Sequence, residues 1–183
     1  LEFDYIVDPL SWWNSSWNYR KEINISNTGS TALVNFPIYL NIAYNESMQT
    51  DFDDLRFVNG SCSASGGVLL DYEIENYTAL KADIWLRMPT FSTGVNSICM
   101  YYNNSGATDG ENKTGVWDSN FILVQHMNDF NSSYILDSTI NSRNGTKKAA
   151  AGPARVSTLN GDGQYFTNDD DLSAKLMSGI GNI

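Results

Sequence analysis

The feature that most limits what this chain can become is its punctuation. Between Tyr19 and Tyr102, apolar and aromatic residues come in short runs, each stopped by Gly, Pro, Asn or Asp. No stretch between them carries the 3.6-residue period of an amphipathic helix. Residues 19–26 form one run and end at the turn Asn27-Thr28-Gly29-Ser30. Residues 36–43 form the next, and 55–58 follow the acidic turn Asp51-Phe52-Asp53-Asp54. Runs at 68–75, 82–88 and 97–102 complete the set. Short strands at this spacing predict an all-β protein, an antiparallel, jelly-roll-like β-sandwich.

Two flanking segments differ from this body. Residues 1–7 alternate Leu1, Phe3, Tyr5 and Val7 with Glu2, Asp4 and Ile6, until Asp8-Pro9 interrupts. A period of two gives a strand one apolar face, and the proline ends its ladder. After Trp117 the signals thin out. Residues 121–127 and 159–167 read as strands, 137–146 as a polar turn region, and 172–183 as a short helical turn with a glycine-rich end. The expected organisation is an N-terminal strand (1–11), a sandwich (12–117) and a partial second β-domain (118–183). The start at Leu1, not Met, fits a removed leader or a fragment.

Composition narrows the function. Apolar residues make up 42% of the chain and the net charge is −10. The first argues for a packed core, and the second repels nucleic acid. No basic run exceeds Lys147-Lys148, and no apolar run approaches the roughly 20 residues that span a bilayer.

Asn-X-Ser/Thr occurs nine times: at Asn14, Asn24, Asn45, Asn59, Asn76, Asn103, Asn112, Asn131 and Asn144. Random placement of 21 Asn and 32 Ser plus Thr in 183 residues would give about four. The excess points to covalent N-glycans and an extracellular or cell-surface location, because a glycan needs an exposed acceptor in an exported protein. The competing reading is accidental sequons in an Asn-rich chain. Cys62 and Cys99 fit the same oxidising compartment, paired as a disulfide or left as two buried thiols. A bridge across their 37-residue separation would contribute about 3–4 kcal/mol.

Residues suited to chemistry are few. Glu73 and Glu75 share a strand face, but glycoside hydrolysis sets its two carboxylates on either side of the sugar. Asp51, Asp53 and Asp54, and likewise Asp169, Asp170 and Asp171, are candidate Ca²⁺ ligands, though neither cluster follows the EF-hand pattern. Otherwise they are turn formers. His126 is the only histidine and has no evident nucleophile beside it, so it reads as a packed or surface residue. Trp12, Trp13 and Trp17 either close one end of the sandwich or form a sugar-stacking platform. Packing is the favoured reading. No convergent catalytic set emerges, and the expectation is a non-enzyme.

Several blocks are similar to those of a known family. They include Trp17-Asn18-Tyr19-Arg20-Lys21-Glu22-Ile23, Asn35-Phe36-Pro37-Ile38 and Phe52-Asp53-Asp54-Leu55-Arg56-Phe57. Leu70-Asp71-Tyr72-Glu73-Ile74-Glu75, Ala82-Asp83-Ile84-Trp85 and Ile98-Cys99-Met100-Tyr101-Tyr102-Asn103 follow in order. Across residues 12–117 the chain resembles domain-of-unknown-function family 2341, a β-sandwich of bacterial and archaeal surface proteins. Residues 126–129, 137–146 and 159–166 resemble the beginning of a concanavalin-like (laminin-G-like) jelly roll. Neither resemblance implies catalytic residues.

The resulting expectation centres on Leu1, Phe3, Tyr5 and Val7. A half-apolar strand is unstable alone in water and needs a sheet edge. Donated to a neighbouring copy, it would build an extracellular, glycosylated homopolymer. The alternative is a carbohydrate-binding or adhesin module with a glycan ligand.

Overall fold

The computed structural model describes residues 12–63, 67–129, 133–147, 153–158, 161–166 and 172–174. Residues 1–11 lie outside this set, and with them the expected strand and its Leu1, Phe3, Tyr5 and Val7. The chain divides into two compact units, Leu1–Val116 and Trp117–Ile183.

The first unit is an antiparallel sandwich of two three-stranded sheets. One holds β1 (Tyr19–Asn27), β6 (Gly94–Tyr102) and β3 (Arg56–Asn59), in the order β1-β6-β3. The other holds β2 (Leu33–Ala43), β5 (Lys81–Phe91) and β4 (Tyr72–Tyr77), in the order β2-β5-β4. Alternation sets what each strand buries. In β5, Ala82, Ile84, Leu86 and Met88 point inward, while Asp83, Trp85 and Arg87 stand on the opposite face. Ile84 and Leu86 meet Phe57 and Ile98 of the other sheet in one core, and all four are fully buried. Each such side chain contributes about 1.5–3 kcal/mol relative to exposure. At the β5–β6 turn, Gly94 has φ +83°, a conformation that a Cβ makes costly.

The run at 68–75 is not one strand. Leu69 bridges Val58 in the first sheet, and β4 begins at Tyr72 in the second. The chain changes sheets at Asp71, whose carboxylate pairs with Arg87 at 2.8 Å and whose carbonyl accepts the Arg87 N–H. Period-two patterning shows that residues alternate but not which sheet they join.

A smaller apolar cluster lies on the outer face of the first sheet. Trp17, Val58, Cys99 and Tyr101 are buried there, with Trp12, Trp13 and Cys62 packed against them. Cys62 and Cys99 are joined in a disulfide. After β6 the unit ends in α1 (Lys113–Val116), a single turn.

The second unit holds a small sheet, β7 (Tyr134–Ile135), β8 (Gly145–Lys147) and β11 (Leu172–Ala174), in the order β11-β8-β7. A hairpin pairs β9 (Ala154–Thr158) with β10 (Gly161–Tyr165). Residues 121–127, expected as a strand, form none. Their backbone bonds go elsewhere: Val124 N–H to the Asp137 carboxylate, and the Phe121 and Ile122 carbonyls to the Asn141 amide. A side chain that satisfies the backbone removes the need for a ladder. Of residues 172–183, expected to hold a short helical turn, Leu172–Ala174 pairs with β8 as a strand, and 175–183 lie outside the described residues. The strand expected at 159–167 appears over Gly161–Tyr165.

Candidate strand-docking groove

A sandwich of two open sheets has four edges, and a bare edge offers unpaired N–H and C=O groups to any strand that arrives. Two of the four are covered. Beside β3 runs the segment 68–70, with Asn59 N–H bonded to the Val68 carbonyl and Leu70 N–H to the Phe57 carbonyl. Beside β4, Ile74 donates its N–H to the Glu111 carboxylate at 2.6 Å, and Asn112 donates to the Tyr72 carbonyl. The other two edges belong to β1 and β2. Among the described residues, β1 pairs only with β6 and β2 only with β5.

Between these two edges lies a groove of about 450 Å³. Ile23 of β1, Leu40 and Ile42 of β2, Met48 and Met100 form its apolar lining, and all five belong to the hydrophobic core or pack against it. Lys21, Asn41 and Asn45 supply polar groups around them. Such a volume receives the side chains of one strand, not a folded domain. Main-chain bonds along an edge, with a line of apolar seats below, are what strand addition requires.

The sequence singled out other residues, and most take structural roles. Asp54 is fully buried: one carboxylate oxygen accepts the Gln49 N–H, and the other accepts the N–H groups of Asn103 and Asn104. Asp51 accepts the Asp53 N–H in the same turn. Burial, then the nearby Asp51 and Asp109 charges, push the Asp53 carboxyl above its ordinary value. The Asp51 and Asp54 carboxylates are bonded within the protein, and no described group of three or more His, Cys, Asp or Glu is arranged to hold a metal. Asp169, Asp170 and Asp171 lie outside the described residues.

Glu73 and Glu75 do not act as a pair. A bulge between Ile74 and Asn76 breaks their register, Glu73 is buried, and Glu75 accepts the Trp85 indole N–H at 2.7 Å. His126 packs near Trp117, with ring centres 5.9 Å apart. Trp13 lies 5.3 Å from Trp17 and 5.8 Å from Tyr101, and the Trp17 indole N–H is bonded to the Asp54 carbonyl. Trp17 is buried, and the half-buried Trp12 and Trp13 pack with it and Tyr101 on the outer face of the first sheet.

Of the sequons, Asn24, Asn45, Asn59 and Asn112 are exposed, whereas Asn14, Asn76, Asn103 and Asn144 are half-buried. Asn131 lies outside the described residues. Asn112 is committed locally, donating to Asp71 and accepting from Gly115 N–H and the Thr114 hydroxyl. Glu22 joins β1 to the disulfide loop: the Ser61 hydroxyl and the Cys62 N–H, both donating to it, hold its carboxyl below the ordinary value.

The groove itself escaped the sequence. Alternation in residues 19–26 and 36–43 marks their inward side chains, yet whether a strand is central or at an edge depends on pairing partners far along the chain.

The fold and its edges define a class: an all-β sandwich with two edges covered and two unpaired among the described residues. The chain belongs to a family described as Domain of unknown function (DUF2341), whose model matches residues 51–147. The match starts in the Asp51 turn and runs through β8, into the second unit. No curated protein and no solved structure matches the chain.

Proposed function

We propose that this protein is an extracellular structural subunit of a glycosylated surface filament, assembled by β-strand donation between copies. The observation that carries the reading is the contrast between two covered edges and two that are unpaired among the described residues, with an apolar groove between the latter pair. The donor is the segment headed by Leu1, Phe3, Tyr5 and Val7, whose alternation matches a sheet edge with seats below it. Seven extended residues reach about 23 Å, enough to lie along most of the roughly 30 Å of the nine-residue β1. A strand donated forward, with the groove of the donor left open for the next copy, is a heterologous contact that propagates. The nine sequons support an exported subunit with a hydrated coat.

The experiment is removal of residues 1–8 followed by negative-stain electron microscopy. The truncated protein should remain folded and give no fibres, and fibres of normal length and number would refute strand donation.

A second reading, a carbohydrate-binding or adhesin module, draws on an aromatic pair on the outer face of the second sheet: Tyr39 and Trp85, with ring centres 5.5 Å apart. A glycan array probed with monomeric protein separates the two readings.

A further inference from the structure

The outer face of the β2-β5-β4 sheet carries an ordered set of side chains that the core does not need. Register places Tyr39 opposite Trp85, and Trp85 opposite Glu73. In the next row, Asn41 stands opposite Asp83, and Asp83 opposite Asn76. Asn76 begins the sequon Asn76-Tyr77-Thr78, which runs from the end of β4 into the exposed turn before β5. The acceptor asparagine therefore shares a sheet face with an aromatic pair one row away. Directly opposed residues sit about 5 Å apart and diagonal ones about 7–8 Å.

The aromatic pair is held in place. Glu75 accepts the Trp85 indole N–H at 2.7 Å, which fixes the plane of that ring. Tyr39 is 49% exposed and donates its hydroxyl to Asp83. Asp83 also accepts from the Asn41 amide and from Lys81. The face thus presents rigid aromatic surface beside a fixed carboxylate and amide. A pyranose ring has the matching chemistry, C–H groups on its face and hydroxyls at its rim, and amphipathic aromatics bind such surfaces at low entropy cost.

We propose that Asn76 carries an N-glycan whose first sugars lie on the Tyr39–Trp85 face, with Asp83 and Asn41 hydrogen-bonding their hydroxyls. The face is a seat for the chain's own glycan and locks it to the sheet. This rests on the reading of the protein as an exported glycoprotein. The occupant is argued from the sequon itself, which tethers a sugar to the face and makes its encounter intramolecular.

The test uses full-length protein from a glycosylating host and from bacteria, as wild type, Trp85→Leu, Tyr39→Ala, Asn76→Gln and the Trp85→Leu/Asn76→Gln double variant. Glycopeptide mass spectrometry should find Asn76 occupied. Enzymatic release of that glycan should be about tenfold faster from Trp85→Leu than from wild type, with Tyr39→Ala between them. Thermal melts should show the two single substitutions coupled in glycosylated protein and uncoupled in bacterial protein. Trp85→Leu keeps apolar bulk on the sheet, so a fold defect alone would appear equally in both preparations.

An unmodified Asn76 beside occupied neighbouring sequons would overturn the seat and leave the glycoprotein reading intact. No occupied sequon at all would overturn both. Equal release rates, or additive melts, would refute the contact. Selective binding of free saccharide by the bacterial protein at Trp85 would reassign the face to an external ligand.

Discussion

The Glu111 carboxylate accepts the Ile74 N–H at 2.6 Å and so occupies the outer edge of β4. A side chain here does what a neighbouring strand would otherwise do. Burial, then repulsion from Asp109, Glu73 and Asp53, pushes the Glu111 carboxyl up to about 7, against the lowering effect of the Ile74 N–H. A carboxyl raised in the folded state favours the protonated form there. It adds stability below pH 4.5, its ordinary value, and loses that contribution as pH rises through about 7. Its carboxylate end sits against β4 while the residue as a whole is solvent-exposed, so screening holds the effect to about 1 kcal/mol or less. Denaturant midpoints from pH 4 to 8 should fall less steeply for Glu111→Gln than for wild type. A steeper fall would contradict this account of the edge.

Asp137 organises the second unit. One oxygen accepts the N–H groups of Val124 and Thr139, and the other accepts the Arg143 N–H and the Thr139 hydroxyl. Burial opposes ionisation, but these four donors together hold the carboxyl below its ordinary value. The stability it provides is present above pH 3.8 and is lost as pH falls through its lower folded value. Asp137→Ala leaves buried donors without an acceptor and should cost about 2–4 kcal/mol. Hydrogen exchange should locate the loosening at residues 121–127 and 137–147. Unchanged protection there would rule out the hub.

Cys62 and Cys99 tie the 61–63 loop to β6 beneath the Trp12–Trp13–Tyr101 cluster. A Cys62→Ala/Cys99→Ala protein should lose about 3–4 kcal/mol, read as a lower denaturant midpoint that reductant no longer shifts. An equal midpoint for the variant and the oxidised wild type would contradict a stabilising bridge.

Local chemistry determined how much of this was legible in the sequence. The six sandwich strands could be placed because alternation and turn residues are properties of neighbours in the chain. The sheet switch at Asp71 was hidden, because it depends on Arg87, sixteen residues away. The Asp51–Asp54 turn was visible as carboxylates, yet whether Asp54 faces a cation or the Asn103–Asn104 backbone is decided by the fold. Residues 121–127 had the composition of a strand, and side-chain acceptors and donors took over their backbone instead. The groove and the Tyr39–Trp85–Asn76 face are both products of register, which no short window contains.

Filament assembly as proposed requires that the β1 and β2 edges, unpaired among the described residues, receive residues 1–8 of another copy. The most direct measurement adds a synthetic peptide of those eight residues to isotope-labelled protein lacking them, followed by backbone NMR. The account predicts saturable shifts confined to Lys21–Ile23, Leu40–Asn45, Met48 and Met100–Tyr102, and fewer fibres when the peptide is added to full-length chain. A peptide that leaves those resonances unmoved at millimolar concentration, while full-length chain still forms fibres, would contradict it.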